Sequence, residues 1–177
     1  MSAARYDVTS YSFDPNANYF LDTNVWFLVY GPPAPGDRRA IIYSDAVKRL
    51  RSSSAAVLID ALVMSEFANA WARFGFKRSG VSDFKAYRNG GAFKPVAQDI
   101  AIALRGILSF AKPANTAFAN INVLGVVATF EKGNDDFNDL LIVETCRIKS
   151  CVLVTDDGDM KKRDVPIVTA NHAILTP

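Results

Sequence analysis

The sequence predicts an α/β fold of three layers, α/β/α, in which helices cover both faces of a central, mainly parallel sheet. Three observations predict it. Short apolar runs at Tyr19–Leu21, Ala55–Ile59 and Cys151–Val154 read as buried strands. Segments with helical spacing separate these runs, so the strands need crossover connections and pair in parallel. Carboxylates close several of the runs, at the edge where such sheets collect ligands.

The elements follow in order. Tyr19–Leu21 is a strand closed by Asp22, and Asn24–Tyr30 reads as a helix opened by good capping residues. Residues 31–37, with three prolines and two glycines, form a loop. Ala40–Arg51 has helical spacing in Ile41, Ile42, Ala46, Val47 and Leu50. After the Ala55–Ile59 strand, a helix from Val63 sets Met64, Phe67, Ala68 and Trp71 on one face, with Glu66 in its first turn. Residues 75–95 are polar, glycine-rich and basic, and read as a helix-containing insertion. Val96–Ala111 is a long amphipathic helix, Ile121–Leu124 a short strand, and Asp135–Ile148 a helix with an apolar middle. Cys151–Val154 and Pro166–Val168 close the sheet. Residues 1–18 read as a poorly specified extension preceding a domain at 19–177.

Composition bounds the function. With 177 residues, half of them hydrophobic and 21% charged, the chain can bury a substantial core and is not expected to be disordered. Its net charge of +2 allows nucleic-acid contact through local patches without requiring it. Two cysteines, Cys146 and Cys151, do not make a secreted disulfide framework. The N-terminus has no signal-like apolar core, and no run reaches the roughly 18 apolar residues of a membrane span, so a soluble cytoplasmic protein is expected.

Four acidic motifs carry the chemistry: Phe20-Leu-Asp-Thr-Asn24, Ser65-Glu-Phe67, Asn134-Asp-Asp-Phe-Asn-Asp139 and Val152-Leu-Val-Thr-Asp-Asp157. Two carboxylates about 5 Å apart at an effective dielectric near 20 repel by roughly 3 kcal/mol, so a cluster of them calls for a cation. Oxygen ligands without a histidine or cysteine set favour Mg²⁺ or Mn²⁺ over zinc. Asp22 also fits a helix cap, Glu66 a helix-dipole partner and Asp136 a cap. Asp139, within an apolar helix, is costly unless it is paired or bound. Asp157 is preferred to Asp156 as the fourth acid, although either suits the turn into Gly158. Thr23, Asn24, Ser65, Asn138 and Thr155 are candidates to orient the carboxylates. A phosphate-binding glycine loop is absent, and His172 has no evident nucleophile to serve.

Taken in order, Leu-Asp-Thr-Asn, Ser-Glu-Phe, Asn-Asp-Leu-Leu-Ile and Leu-Val-Thr-Asp-Asp resemble the PIN-domain nucleases, most closely the VapC-type toxins of bacterial toxin–antitoxin pairs. The resemblance runs from Tyr19 to Asn171. It implies that Asp22, Glu66, Asp139 and Asp157 are the catalytic and metal-binding acids, assisted by Asp136, in a metal-dependent endoribonuclease. It also implies an RNA substrate, a VapB-like antitoxin and a homodimer. An RNA-processing nuclease without an antitoxin, or a PIN-fold RNA- or protein-binding module, is the alternative. Arg38, Arg39, Arg73, Lys77, Arg78, Lys161, Lys162 and Arg163 are candidates to guide RNA, and Phe76, Phe84 and Tyr87 to stack on bases or pack in the core. Trp26, Phe27 and Trp71 are candidates for a partner interface or for core.

Overall fold

A buried parallel sheet organises the chain in the computed structural model, which describes residues 3–114 and 118–176. Among the described residues six strands, β1 (Arg5–Asp7), β2 (Asn18–Leu21), β3 (Ala56–Ile59), β4 (Lys112–Pro113), β5 (Cys151–Val154) and β6 (Ile167–Thr169), pair in the order β1-β6-β5-β2-β3-β4, every pair parallel. Eight helices among the described residues flank it: α1 (Thr23–Tyr30), α2 (Arg38–Ser52), α3 (Ala61–Ser79), α4 (Phe84–Asn89), α5 (Phe93–Leu108), α6 (Val123–Phe130), α7 (Phe137–Ile148) and α8 (His172–Leu175). The expected three-layer α/β/α architecture is the one observed.

The central strands form because their residues can be buried on both faces. Tyr19, Phe20, Leu21 and Leu153 are fully enclosed, and Val57, Ile59 and Val154 nearly so. Helices α1, α2, α3 and α7 contribute Val25, Trp26, Tyr43, Leu50, Phe67 and Ile142 to the same core. A smaller cluster of Ile121, Val126 and Leu140 lies where α6 packs on α7. Asp60 caps α3 by accepting from Val63 N, and Gly80 at φ 73° ends it in the left-handed conformation that glycine takes without strain.

Several expectations need correction. Ile121–Leu124 is not a strand: Asn122 accepts from Gly125 N and starts α6 at Val123, because a short apolar run suits a packed helix as well as a strand. The strand on that side of the sheet is Lys112–Pro113, where proline is tolerated at an edge. Helix α3 begins at Ala61, two residues before the expected start, so Glu66 lies in its second turn, not its first. On α2 the buried side chains are Tyr43, Ala46, Val47 and Leu50, whereas Ile41 is 67% exposed. Residues 75–95 hold the end of α3, all of α4 and the start of α5. Among the described residues, no helix is long and apolar enough to cross a membrane.

Residues 3–18 are specified rather than loose. β1 pairs with β6, while Val8 and Phe13 enter the core. Arg5 carries no apolar signal, yet its guanidinium donates to the carbonyls of Val165 (2.8 Å), Lys161 (2.9 Å) and Arg163, and Arg49 of α2 donates to those of Val8 and Tyr11 (2.7 Å). Such charge-assisted bonds to backbone are worth more than neutral ones. Arg5→Ala is expected to lower unfolding stability by about 1–3 kcal/mol in urea denaturation, since three carbonyls lose a charged donor. An unchanged midpoint would show that β1 is held by its strand pairing alone.

Candidate active site

Strand order decides where the acids meet. From β2 the chain runs outward through β3 and β4, then crosses to β5 on the other side of β2, so the order reverses between β2 and β5. Ligands favour such a reversal, beyond the carboxyl ends of the strands. Leu21 registers against Val154, which sets Asp22 beside the Thr155–Asp157 turn, and Asp22 N donates to Val154 O at 3.0 Å. Helices α3 and α7 bring Glu66 and Asp139 to the same place.

A cleft of about 830 Å³ opens there. Asp22, Glu66, Asp139 and Asp157 all line it, together with the expected supporting residues Asp136, Asp156, Thr23, Asn24 and Asn138. Asp159 adds a seventh carboxylate, and Arg39 is the one cation among the lining residues.

Asp22 is 5% exposed and occupies the N-cap position of α1 without capping it by its side chain. Its Oδ2 instead accepts from Asn24 Nδ2 (2.6 Å) and Thr155 Oγ1 (2.7 Å). Burial pushes its carboxyl up to about 6, against the Thr155 bond, with the charges of Asp157 and Glu66 adding to the rise. Asp139, in the first turn of α7, is pushed up to about 7 by burial and then by the charges of Asp22, Asp157 and Asp136, with Arg163 opposing. Among the described residues, the Asp139 carboxyl group accepts no hydrogen bond. Glu66 uses both oxygens: Oε2 accepts from Thr23 Oγ1 at 2.7 Å and Oε1 from Asn138 Nδ2.

Asp156 and Asp157 have separate surroundings. Asp156 accepts from the Tyr43 hydroxyl at 2.9 Å and lies 3.5 Å from an Arg39 nitrogen. Asp157 accepts from Asp159 N, caps the turn that follows, and is the neighbour whose charge reaches Asp22 and Asp139. Asp136 is a cap as well, accepting from Asn138 N at 2.8 Å.

Thr155 and Asn24 tie the strand ends together. Thr155 Oγ1 accepts from Asp157 N (3.0 Å), and Asn24 Oδ1 accepts from Asp156 N (3.1 Å). Ser65 does not join them; it is exposed and bonds Asn69, because its side chain leaves α3 about 100° round the helix from that of Glu66. Sequence reasoning missed Tyr43 and Asn171. Tyr43 accepts from Ala170 N at 2.9 Å, and Asn171 Nδ2 donates to Asp156 O at 2.7 Å, so the two hold the 155–157 turn from behind. The signal for Tyr43 was its place three and four residues before Ala46 and Val47 on the buried stripe of α2.

Trp26 is fully buried, the core role considered for it, and Phe27 lines the cleft. Arg39 is paired with Asp37 and Arg163 with Asp135 (2.8 Å), so neither is a free cation for RNA. Tyr87 is buried among Phe76, Phe84 and Phe93, the packing role considered for it.

Among the described residues, no three His, Cys, Asp or Glu side chains stand as a ready-made group that could hold a metal ion. The donors nonetheless suit a hard divalent cation in kind and in charge: all are oxygens, and among the described lining residues seven carboxylates face Arg39 alone.

The PIN domain family matches residues 19–166. Among solved structures, VapBC2 from Rickettsia felis, bound to a DNA fragment from their promoter, contains a chain 19% identical to this one. That similarity covers 86% of this chain and 98% of that one, with a TM-score of 0.54. FitAcB from Neisseria gonorrhoeae is 15% identical over 85% of this chain and 96% of that one, with a TM-score of 0.44. No curated protein sequence matches.

Proposed function

This chain belongs to the PIN domain family, and from that premise we propose that it is a metal-dependent endoribonuclease, the toxin of a VapC-type toxin–antitoxin pair. The observation that carries the reading is the convergence of Asp22, Glu66, Asp139 and Asp157 on one cleft at the carboxyl ends of β2 and β5. Residues 19–177 form the proposed nuclease domain, with 1–18 as an added segment and 75–95 as an insertion.

Asp22, Asp139 and Asp157 would hold Mg²⁺ or Mn²⁺, with Glu66 as a further ligand. A divalent cation there supplies Lewis acidity, making water a nucleophile near neutral pH. Thr155 and Asn24 fix Asp22 Oδ2, so its carboxylate needs no reorganisation when the cleft fills. Thr23 and Asn138 hold Glu66 at the wall of the cleft, where each oxygen keeps a second lone pair to orient the attacking water and accept its proton. Asp156 is spent on Tyr43 and Arg39, which favours Asp157 as the fourth acid.

The partner readings, an antitoxin covering the cleft and a homodimer acting in the cytoplasm, rest on the resemblance to VapC-type toxins. The experiment that tests the activity is cleavage of a mixed RNA with Mg²⁺, with Mn²⁺ and with a chelator. Cleavage with either ion and none in chelator is expected; cleavage that survives chelation overturns the metal-dependent mechanism.

A further inference from the structure

The cleft poses an electrostatic problem, since seven carboxylates line it against Arg39 alone, and it repels the polyanion it is proposed to cut. Residues 73–95 carry the opposite charge. Arg73, Lys77, Arg78, Lys85, Arg88 and Lys94 are all exposed, and Asp83 is the one acid in that stretch. Among the described residues none of the six cations has an ion-pair partner, and Asp83 is occupied in capping α4.

Packing gathers these cations at one corner. Phe76, Phe84, Tyr87 and Phe93 interlock where α3, α4 and α5 meet, with ring centroids 5.3–6.3 Å apart. The Arg73 guanidinium lies 5.1 Å from the Phe84 centroid, and that of Arg88 lies 4.6 Å from the Phe93 centroid. These contacts hold flat cationic groups on an apolar base, a surface on which unpaired bases stack as phosphates meet the lysines. The corner also joins the cleft directly. Glu66, Ala70, Arg73 and Lys77 follow the i, i+4, i+7, i+11 spacing of one helical face, and Glu66 and Ala70 line the cleft. Along the α3 axis, Arg73 stands about 10 Å and Lys77 about 16 Å from Glu66.

We propose that the basic corner formed by the end of α3, by α4 and by the start of α5 binds single-stranded RNA and leads the strand into the acidic cleft. The proposal rests on the nuclease reading for the destination of the strand, but the binding it asserts is measurable without cleavage. An acidic protein segment is the rival ligand; the stacked guanidinium surface and its continuity with the cleft favour RNA.

The test is binding of a labelled 20-nucleotide single-stranded RNA in chelator over a series of salt concentrations. The wild-type chain is compared with a Lys77→Ala, Lys85→Ala, Lys94→Ala variant, whose lysines make no ring contacts, and with an Arg73→Ala, Arg88→Ala variant. The lysine variant is expected to lose on the order of 10–100-fold in affinity near 0.1 M salt and to flatten the salt slope by roughly 2, as three lost phosphate contacts require. The arginine variant is expected to weaken binding too. Wild-type affinity and slope in the lysine variant overturn the proposal, as does failure of the wild-type chain to bind the RNA at low salt. Lysine-dependent binding of polyglutamate that RNA fails to displace overturns it in favour of an acidic protein partner. Loss of cleavage activity alone would sink the nuclease reading and leave this binding result intact.

Discussion

Asp22→Asn is expected to lower the rate of RNA cleavage on the order of 10³-fold while leaving the fold intact. The change is close to isosteric. The two donors on Asp22 Oδ2, Asn24 Nδ2 at 2.6 Å and Thr155 Oγ1 at 2.7 Å, can both be met by the carbonyl oxygen of asparagine. The loss is confined to one negative charge. That charge is held in a nearly closed environment, 5% exposed, so removing it relieves desolvation and is expected to raise the melting temperature in chelator. Greater stability with lost activity is the pattern of a group retained for function.

Asp60→Asn is the control. Asp60 is 2% exposed, closes β3 much as Asp22 closes β2, and is likewise raised by burial, with Oδ2 unpartnered among the described residues. It does not line the cleft. Relief of a buried charge without loss of cleavage is therefore expected there. Asp22→Asn activity within tenfold of wild type would remove Asp22 from the site.

The contrast between these two aspartates bears on what the sequence could disclose. β2, β3 and β5 are legible because each is an apolar run enclosed on both faces, a property of its own residues. β1 and β4 are not, since Arg-Tyr-Asp and Lys-Pro owe their pairing to the backbone of β6 and β3 and, for β1, to the reach of Arg5 into the 161–165 segment. Asp22 and Asp60 look alike in sequence, as each follows an apolar strand and precedes a helix. Only the position of β2 beside β5 separates them. In the same way, the choice between Asp156 and Asp157 turns on Tyr43, more than a hundred residues earlier, whose hydroxyl takes up Asp156. Glu66 was found by its motif, but its second-turn place came from Asp60, a cap three residues before the expected helix start.

The metal-free protein is expected to be less stable at pH 8 than at pH 5. An aspartate raised in the folded state keeps its proton longer than in the unfolded chain. The stability this gives is full below an unfolded value near 4 and falls as the pH rises through about 6 for Asp22 and about 7 for Asp139. The window is thus pH 4 to 7, and the loss is complete above it. Asp22 alone contributes roughly 3 kcal/mol to that loss, and Asp139, half-buried and screened by solvent, contributes less than its shift implies. Across the whole window roughly 6–12 °C of melting temperature follows for a chain of this size, and about half of the Asp22 share falls between pH 5 and pH 8. Mg²⁺ is expected to restore most of it at pH 8 and little at pH 5, because the cation competes with protons for the same oxygens. Asp139→Asn should flatten both the pH dependence and the Mg²⁺ response. Melting curves in chelator that rise from pH 5 to 8 would show that the clustered charges are compensated within the protein, and the case for a cation in the cleft would lose its physical basis.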